Sequence, residues 1–297
     1  MTRLTETRAR SLRMAWCFLP MLLVMAGVSC LAQTSSAPRV ETPNAGAKAA
    51  DVESALFLIC KAGDITRSKA GQVTGCRVCP EGTGDQGQGY SDSYWKMKVT
   101  SGHFTSAQGE NLILGGTADS MCEDHAHNFG GSYFFSLDSG KVRLVRYHVG
   151  LITDQCHKFA YPDGRDFLVC RGGWNGQGLN SGNVFMASFA PDGKETVEFL
   201  LTANDTTGTA ICLDDKKALV QESQITSLRF APDSGHISGL TISATLGQVS
   251  CSQAEKYMDA GKPTTEIETY SIKFQFDGQH FKPTPASLPA FHKFERN

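Results

Sequence analysis

The sequence has no long run of basic residues, and its 28 Lys and Arg fall just short of its 30 Asp and Glu. That balance argues against a nucleic-acid binder, which needs clustered cations to displace counterions from phosphates. It argues equally against a polybasic contact with anionic lipid. Neither a Gly-x-Ser-x-Gly nor a His-Glu-x-x-His motif occurs. A serine elbow and a zincin helix are therefore excluded. Cys76-Arg77-Val78-Cys79 has no second Cys-x-x-Cys to complete a zinc ribbon. Pro80 and two glycines follow it where a thioredoxin-type motif would start a helix. It reads as a structural disulfide site within a stapled loop.

At the N-terminus, Arg3, Arg8, Arg10 and Arg13 precede an apolar stretch from Met14 to Val28. A membrane span needs about 20 apolar residues, so this shorter stretch predicts a signal peptide over residues 1–32. Cleavage after Ala32 would leave Gln33 first. The competing reading takes Gly27-Val28-Ser29-Cys30 as a lipobox with Cys30 as a lipid anchor; Gly27 stands where Leu or Val is usual. Residues 33–50 have the composition of a flexible tether. Removing residues 1–32 takes away four Arg and one Glu and moves the net charge from −2 to −5.

Ten cysteines are present, and eight remain after residue 32: Cys60, Cys76, Cys79, Cys122, Cys156, Cys170, Cys212 and Cys251. An even number behind an export signal predicts a disulfide framework in a periplasmic or extracellular protein.

Five turn motifs are set between apolar runs: Asp138-Ser139-Gly140, Pro162-Asp163-Gly164, Pro191-Asp192-Gly193, Pro232-Asp233-Ser234 and Asp277-Gly278. Pro presets φ, Asp caps the turn backbone, and Gly accepts positive φ where the chain re-enters a sheet. A three-residue Pro-Asp-Gly loop after Tyr161 sets Phe159 opposite Phe167 and Cys156 opposite Cys170. The same loop after Ala190 sets Phe185 opposite Phe199. Turn chemistry and side-chain register agree. Cys156–Cys170 is the leading disulfide, with Cα atoms about 4.5–5.5 Å apart. Its rival is Cys122–Cys156. Cys60 is assigned to Cys76 or Cys79, and Cys212 to Cys251.

These signals predict an all-β antiparallel meander, β-propeller-like with three to five irregular blades and one or two short helices. The segmentation is a Cys-containing segment at 51–93, a β-repeat domain at 94–290 and a tail at 291–297. Asp51–Lys61 is a short helix or a buried strand. A capping box at Ser252–Glu255 places another helix at about 252–260. Phe189-Ala190-Pro191-Asp192 recurs 41 residues on as Phe230-Ala231-Pro232-Asp233, close to a propeller-blade period of about 40–50 residues.

Phe189-Ala190-Pro191-Asp192-Gly193-Lys194 resembles the turn of TolB-type β-propeller repeats. Gly102-His103-Phe104-Thr105, with Glu110-Asn111-Leu112-Ile113-Leu114, is similar to the FG-GAP repeat of integrin-like propellers. Both resemblances imply an extracytoplasmic propeller. The calcium loop of FG-GAP blades is not carried over, because Thr105–Gly109 holds no carboxylate.

The densest polar cluster is Cys122-Glu123-Asp124-His125-Ala126-His127-Asn128. His125 and His127 alternate so as to share one face of an extended chain, and His157 would be a third metal ligand. Gly172–Gly178 reads as a loop carrying Trp174 among polar groups. The candidate binding residues are His125, His127, Asn128, Trp174 and Asn175. They suggest a surface for a protein or glycan partner, in a binding or structural module without a cofactor. An extracytoplasmic hydrolase or metal-dependent enzyme using the His125/His127 region is the alternative.

Mass spectrometry of chain exported by a bacterial host should find Gln33 at the N-terminus. A secreted chain still starting at Met1 contradicts the signal peptide, and a diacylglyceryl adduct on Cys30 establishes the lipid anchor instead.

Overall fold

The first helix, α1 (Ala49–Phe57), shows why the opening apolar run was ambiguous. Leu56-Phe57-Leu58-Ile59 is continuous in sequence. Val52, Ala55, Leu56 and Ile59, at helical spacing, are buried along with Cys60, while Phe57 and Leu58 face out. A computed structural model describes residues 46–83, 95–116, 122–123, 130–176, 179–206, 212, 219–233, 236–259 and 266–295. The turn at 234–235 lies outside these residues.

Three antiparallel sheets follow the helix, each ordered as a plain meander. The first joins β1 (Ile65–Arg67), β2 (Val73–Cys76), β3 (Trp95–Gly102), β4 (Glu110–Gly116), β5 (Gly131–Asp138) and β6 (Lys141–Val149). The second has β7 (Cys156–Ala160), β8 (Asp166–Gly176), β9 (Leu179–Phe189) and β10 (Glu195–Asp205). The third has β11 (Leu219–Asp233), β12 (His236–Ser250), β13 (Glu268–Phe276) and β14 (Phe281–Pro283). Helix α2 (Cys251–Asp259) follows β12, and α3 (Leu288–Glu295) closes the described chain.

Alternation along the strands dictates how these layers stack. In β4 and β5, Leu112, Leu114, Tyr133 and Phe135 pack with α1, while Ile113 and Phe134 pack against the second sheet. In β8 and β9, Leu168, Cys170, Phe185 and Ala187 meet the first sheet. Their neighbours Phe167, Val169, Val184 and Met186 meet the third sheet. A strand with both faces covered reads as a continuous apolar run, as in Phe167-Leu168-Val169-Cys170. The third sheet alternates instead. Ile242, Ala244, Ile272 and Phe274 point inward, while Thr241, Ser243, Ser271 and Lys273 form the outer face. The stack therefore ends in a helix on one side and a polar face on the other. No closed ring of blades is present among the described residues.

Turn chemistry sets the registers as expected. Phe159 pairs with Phe167, Cys156 with Cys170, and Phe185 with Phe199. Gly164 and Gly193 take φ of 84° and 77°. Asp163 and Asp192 each accept a hydrogen bond from the N–H two residues on, at 3.0 Å. Asp138 pairs with Lys141 across Ser139 (φ 50°) and Gly140 (φ 78°), a two-residue turn with both central residues left-handed. The motif similar to FG-GAP is a loop closed by the buried Asn111, whose Oδ1 accepts from the N–H of Phe104 and of Thr105 at 3.0 Å each.

Several sequence expectations are corrected. The Phe-Ala-Pro-Asp repeat does not mark a structural period, because its first copy ends β9 and its second lies in β11, on different steps of the meander. The four-strand units open at Trp95, Cys156 and Leu219, 61 and 63 residues apart. Residues 172–176 are not loop: β8 runs on to Gly176, and 177–178 lie outside the described residues. Helix α2 starts one residue before the expected 252 because the cap is Ser250, whose N–H and hydroxyl reach Gln253 Oε1 at 3.2 and 3.0 Å. Helix α3 covers most of the expected tail and buries Phe294 in the core. Strand β2 pairs with β3 across the expected boundary at 93/94.

The cysteines form Cys60–Cys76, Cys79–Cys122, Cys156–Cys170 and Cys212–Cys251. The rival Cys122–Cys156 pairing is not formed. Tyr161 N–H bonds Arg165 O, and Arg171 N–H bonds Gln155 O. Counting inward from either bond makes Cys156/Cys170 a non-hydrogen-bonded pair, the closer of the two cross-strand arrangements. Their Cα atoms are 4.0 Å apart, nearer than the expected range. The two cysteines are 14 residues apart. Replacing both by Ala should lower stability in urea unfolding by about 3 kcal/mol, the amount for a loop of about 15 residues. No measurable loss would contradict a bridge that ties β7 to β8.

Candidate functional site

Strand β10 is an edge strand, and its side chains alternate between two clefts. Glu195, Val197 and Phe199 border a cleft of about 350 Å³ on the side of the first sheet. Thr196 and Glu198 border a second, of about 660 Å³, on the side of the third sheet. This is the period of two expected of a strand, used on both faces.

The first cleft is walled by the chain leaving β6 (Val149–Ile152) and by Gly172, Gly173 and Trp174 of β8. Trp174 is half-buried and pairs in register with Ser181. Gly172 leaves the floor open, because a Cβ there would lie 3.0 Å from the Phe185 ring. Three of the exposed large apolar side chains meet at this rim: Phe199 (61% exposed), Val149 (46%) and Val197 (38%). Covering a side chain such as Phe199 is worth about 1.5–3 kcal/mol.

Beneath the cleft, His148 of β6 is buried between the rings of Phe134 and Phe189, at 6.1 and 5.6 Å. Its Nδ1 sits against the Glu195 carboxylate, which tethers the first sheet to β10. Burial holds the His148 pKa below the usual histidine value. Nearby Arg146 pushes the same way, and Glu195 and the Gly193 backbone oppose it. Sequence reasoning missed this pair. His148 stands in β6 as one polar residue among several, and only the packing of the sheets brings Glu195 to it.

The expected site residues are dispersed. His125, His127 and Asn128 lie outside the described residues, as does the Asn175 side chain, although its backbone pairs with Asn180. The described ends of the 122–131 loop are anchored separately. Cys122 is bonded to Cys79, and burial, with the buried Glu123 carboxylate, pushes the Tyr147 pKa up. Gly130 O accepts from Gly150 N–H at 2.8 Å, which brings the loop's far end against the wall of the first cleft. His157 does not share a face with Trp174. It faces the third sheet, 4.8 Å from the Phe230 ring. Burial, aided by Lys98, lowers its pKa. Among the described residues no group of three or more His, Cys, Asp or Glu is placed to hold a metal ion. Compared with family models, with curated proteins and with solved structures, the chain matches none.

The buried His148 and half-buried His157 imidazoles give stability a pH dependence of definite sign. A histidine whose pKa is lower folded than unfolded leaves the unfolded chain binding more protons as pH falls below about 6.5. The stabilisation is complete above that pH and is lost below it, down through the folded pKa. His148→Gln should flatten the fall in unfolding free energy below about pH 6.5 in urea titrations, and adding His157→Gln should flatten it further. An unchanged slope in the double variant contradicts a lowered pKa at both rings.

Proposed function

We propose that this chain is an exported, disulfide-stabilised binding module whose recognition site is the Trp174–Phe199 cleft. The supporting observation is the convergence of exposed Phe199, Val149 and Val197 on one concavity with Trp174. A small apolar depression with a few polar groups, here Asn183 and Glu195, is the usual makeup of a recognition site. Four disulfides fit an oxidising compartment. We read the three meanders as blade-like units in an open stack, a rigid platform in the manner of a propeller. The partner is an extended polypeptide offering an aromatic or branched aliphatic side chain.

Phage-displayed peptides selected on the mature domain should be enriched in aromatic and aliphatic anchors. Phe199→Ala should weaken their binding at least tenfold, the scale of a hot spot, while leaving the thermal midpoint unchanged because Phe199 is exposed. Peptides that bind Phe199→Ala and Trp174→Ala variants as tightly as the native domain would overturn the assignment.

A further inference from the structure

The second cleft is built differently, and nothing in the binding of an apolar side chain uses it. Its rims are two of the Asp-Gly turns, 162–164 and 277–278, whose tips approach at Pro162 and Gly278: a Cβ added at Gly278 would lie 3.7 Å from Pro162 Cγ. Two of its carboxylates are already matched with cations, and the third with an imidazole. Asp163 Oδ2 accepts from Arg165 Nε at 2.8 Å, Glu198 Oε2 meets His280 Nδ1 at 2.7 Å, and Asp277 Oδ2 meets Lys282 Nζ at 2.7 Å.

These pairs come from different elements. Asp163 and Arg165 belong to the β7–β8 turn, Glu198 to β10, and Asp277, His280 and Lys282 to the β13–β14 hairpin. The Arg165 guanidinium lies over the Tyr161 ring, 5.4 Å from its centroid. The Asp163 side chain is further fixed by the Arg165 N–H, and that of Asp277 by the N–H groups of Gln279 and His280. The carboxylates are therefore oriented before any ligand arrives. The bond from the Arg165 N–H chiefly holds Asp163 below the usual carboxylate range, and the bond from Lys282 chiefly does so for Asp277.

Matched charges select the ligand. An anion entering this cleft meets three carboxylates, and a cation must displace a partner that is already bonded. A hydroxyl group suits the surface, because it both donates and accepts. The carboxylate oxygens keep further lone pairs as acceptors, and Thr196 and Gln279 add neutral partners. Exposed Pro162 supplies an apolar patch for the C–H face of a ring. The volume of about 660 Å³ is that of a small-ligand site and exceeds the needs of one ordered water or ion.

We infer that the cleft between the 162–164 and 277–280 turns binds a neutral carbohydrate, on the face of β10 opposite the Phe199 site.

The test is a glycan array carrying neutral and uronic-acid oligosaccharides, probed with the mature protein and followed by calorimetric titration of the best neutral trisaccharide. Glu198→Gln and Gln279→Ala should each weaken binding at least about tenfold. Gln279 is exposed, and Glu198→Gln keeps an oxygen for His280, so thermal unfolding should be nearly unchanged. Phe199→Ala, on the opposite face, should bind the trisaccharide as the native protein does. That last result separates this site from the peptide site. The inference is overturned if no neutral glycan is retained, if only acidic glycans are, or if neutral binding survives both cleft variants.

Discussion

The structure depends on the double-sided burial of its middle sheet. Strands β8 and β9 present Leu168, Cys170, Phe185 and Ala187 to one neighbour and Phe167, Val169, Val184 and Met186 to the other. Neither flanking sheet needs two apolar faces beyond its own central strands. The first is capped by α1, and the third turns Thr, Ser and Lys to solvent. Aromatic contacts reinforce both interfaces. Phe134 and Phe189 lie 4.8 Å apart on one side, and Phe167 and Phe276 stack at 5.2 Å on the other. Each such pair adds about 0.5–1.5 kcal/mol beyond the area it buries.

The same constraint creates the two clefts. A strand at the edge of a doubly buried sheet has side chains on both faces, and near its start β10 is no longer fully covered by either neighbour. Towards its end it is tied to β11, where Thr206 N–H bonds Gln221 O at 2.8 Å and Ser223 Oγ bonds Asn204 O at 2.7 Å. The register shift between Phe199 and Leu201 separates the exposed first half from the covered second half. One short segment, Glu195–Phe199, thus carries an apolar surface and a polar one back to back. His148 fastens that segment to the first sheet, and His280 fastens it to the third through Glu198.

Local chemistry was legible in the sequence, and packing was not. Pro-Asp-Gly turns yielded the hairpin registers and the Cys156–Cys170 bridge, because a turn type determines every cross-strand partner by counting. Cys212–Cys251 was anticipated too. The period of the meander was hidden. Phe189 and Phe230 sit in similar words, yet one ends a third strand and the other lies in a first strand. Turn motifs recur wherever a hairpin forms, so their spacing reports hairpins rather than units. Trp174 was assigned to a loop because its glycine neighbours look like loop residues. In the fold, Gly172 is small because the Phe185 ring passes over it, and the strand continues. Glu195 and Glu198 gave no signal, since a lone carboxylate in a strand reads as solvent-facing until its partner arrives from another sheet. His125 and His127 lie outside the described residues.

The most direct test of this account is backbone hydrogen exchange of the native domain. Amides of Phe167–Cys170 and Val184–Ala187 should be the slowest to exchange, opening only with global unfolding, while those of β13 and β14 exchange faster through local opening. Exchange of the β8 and β9 amides as fast as those of the third sheet would show that the middle sheet is not the element on which the stack is built.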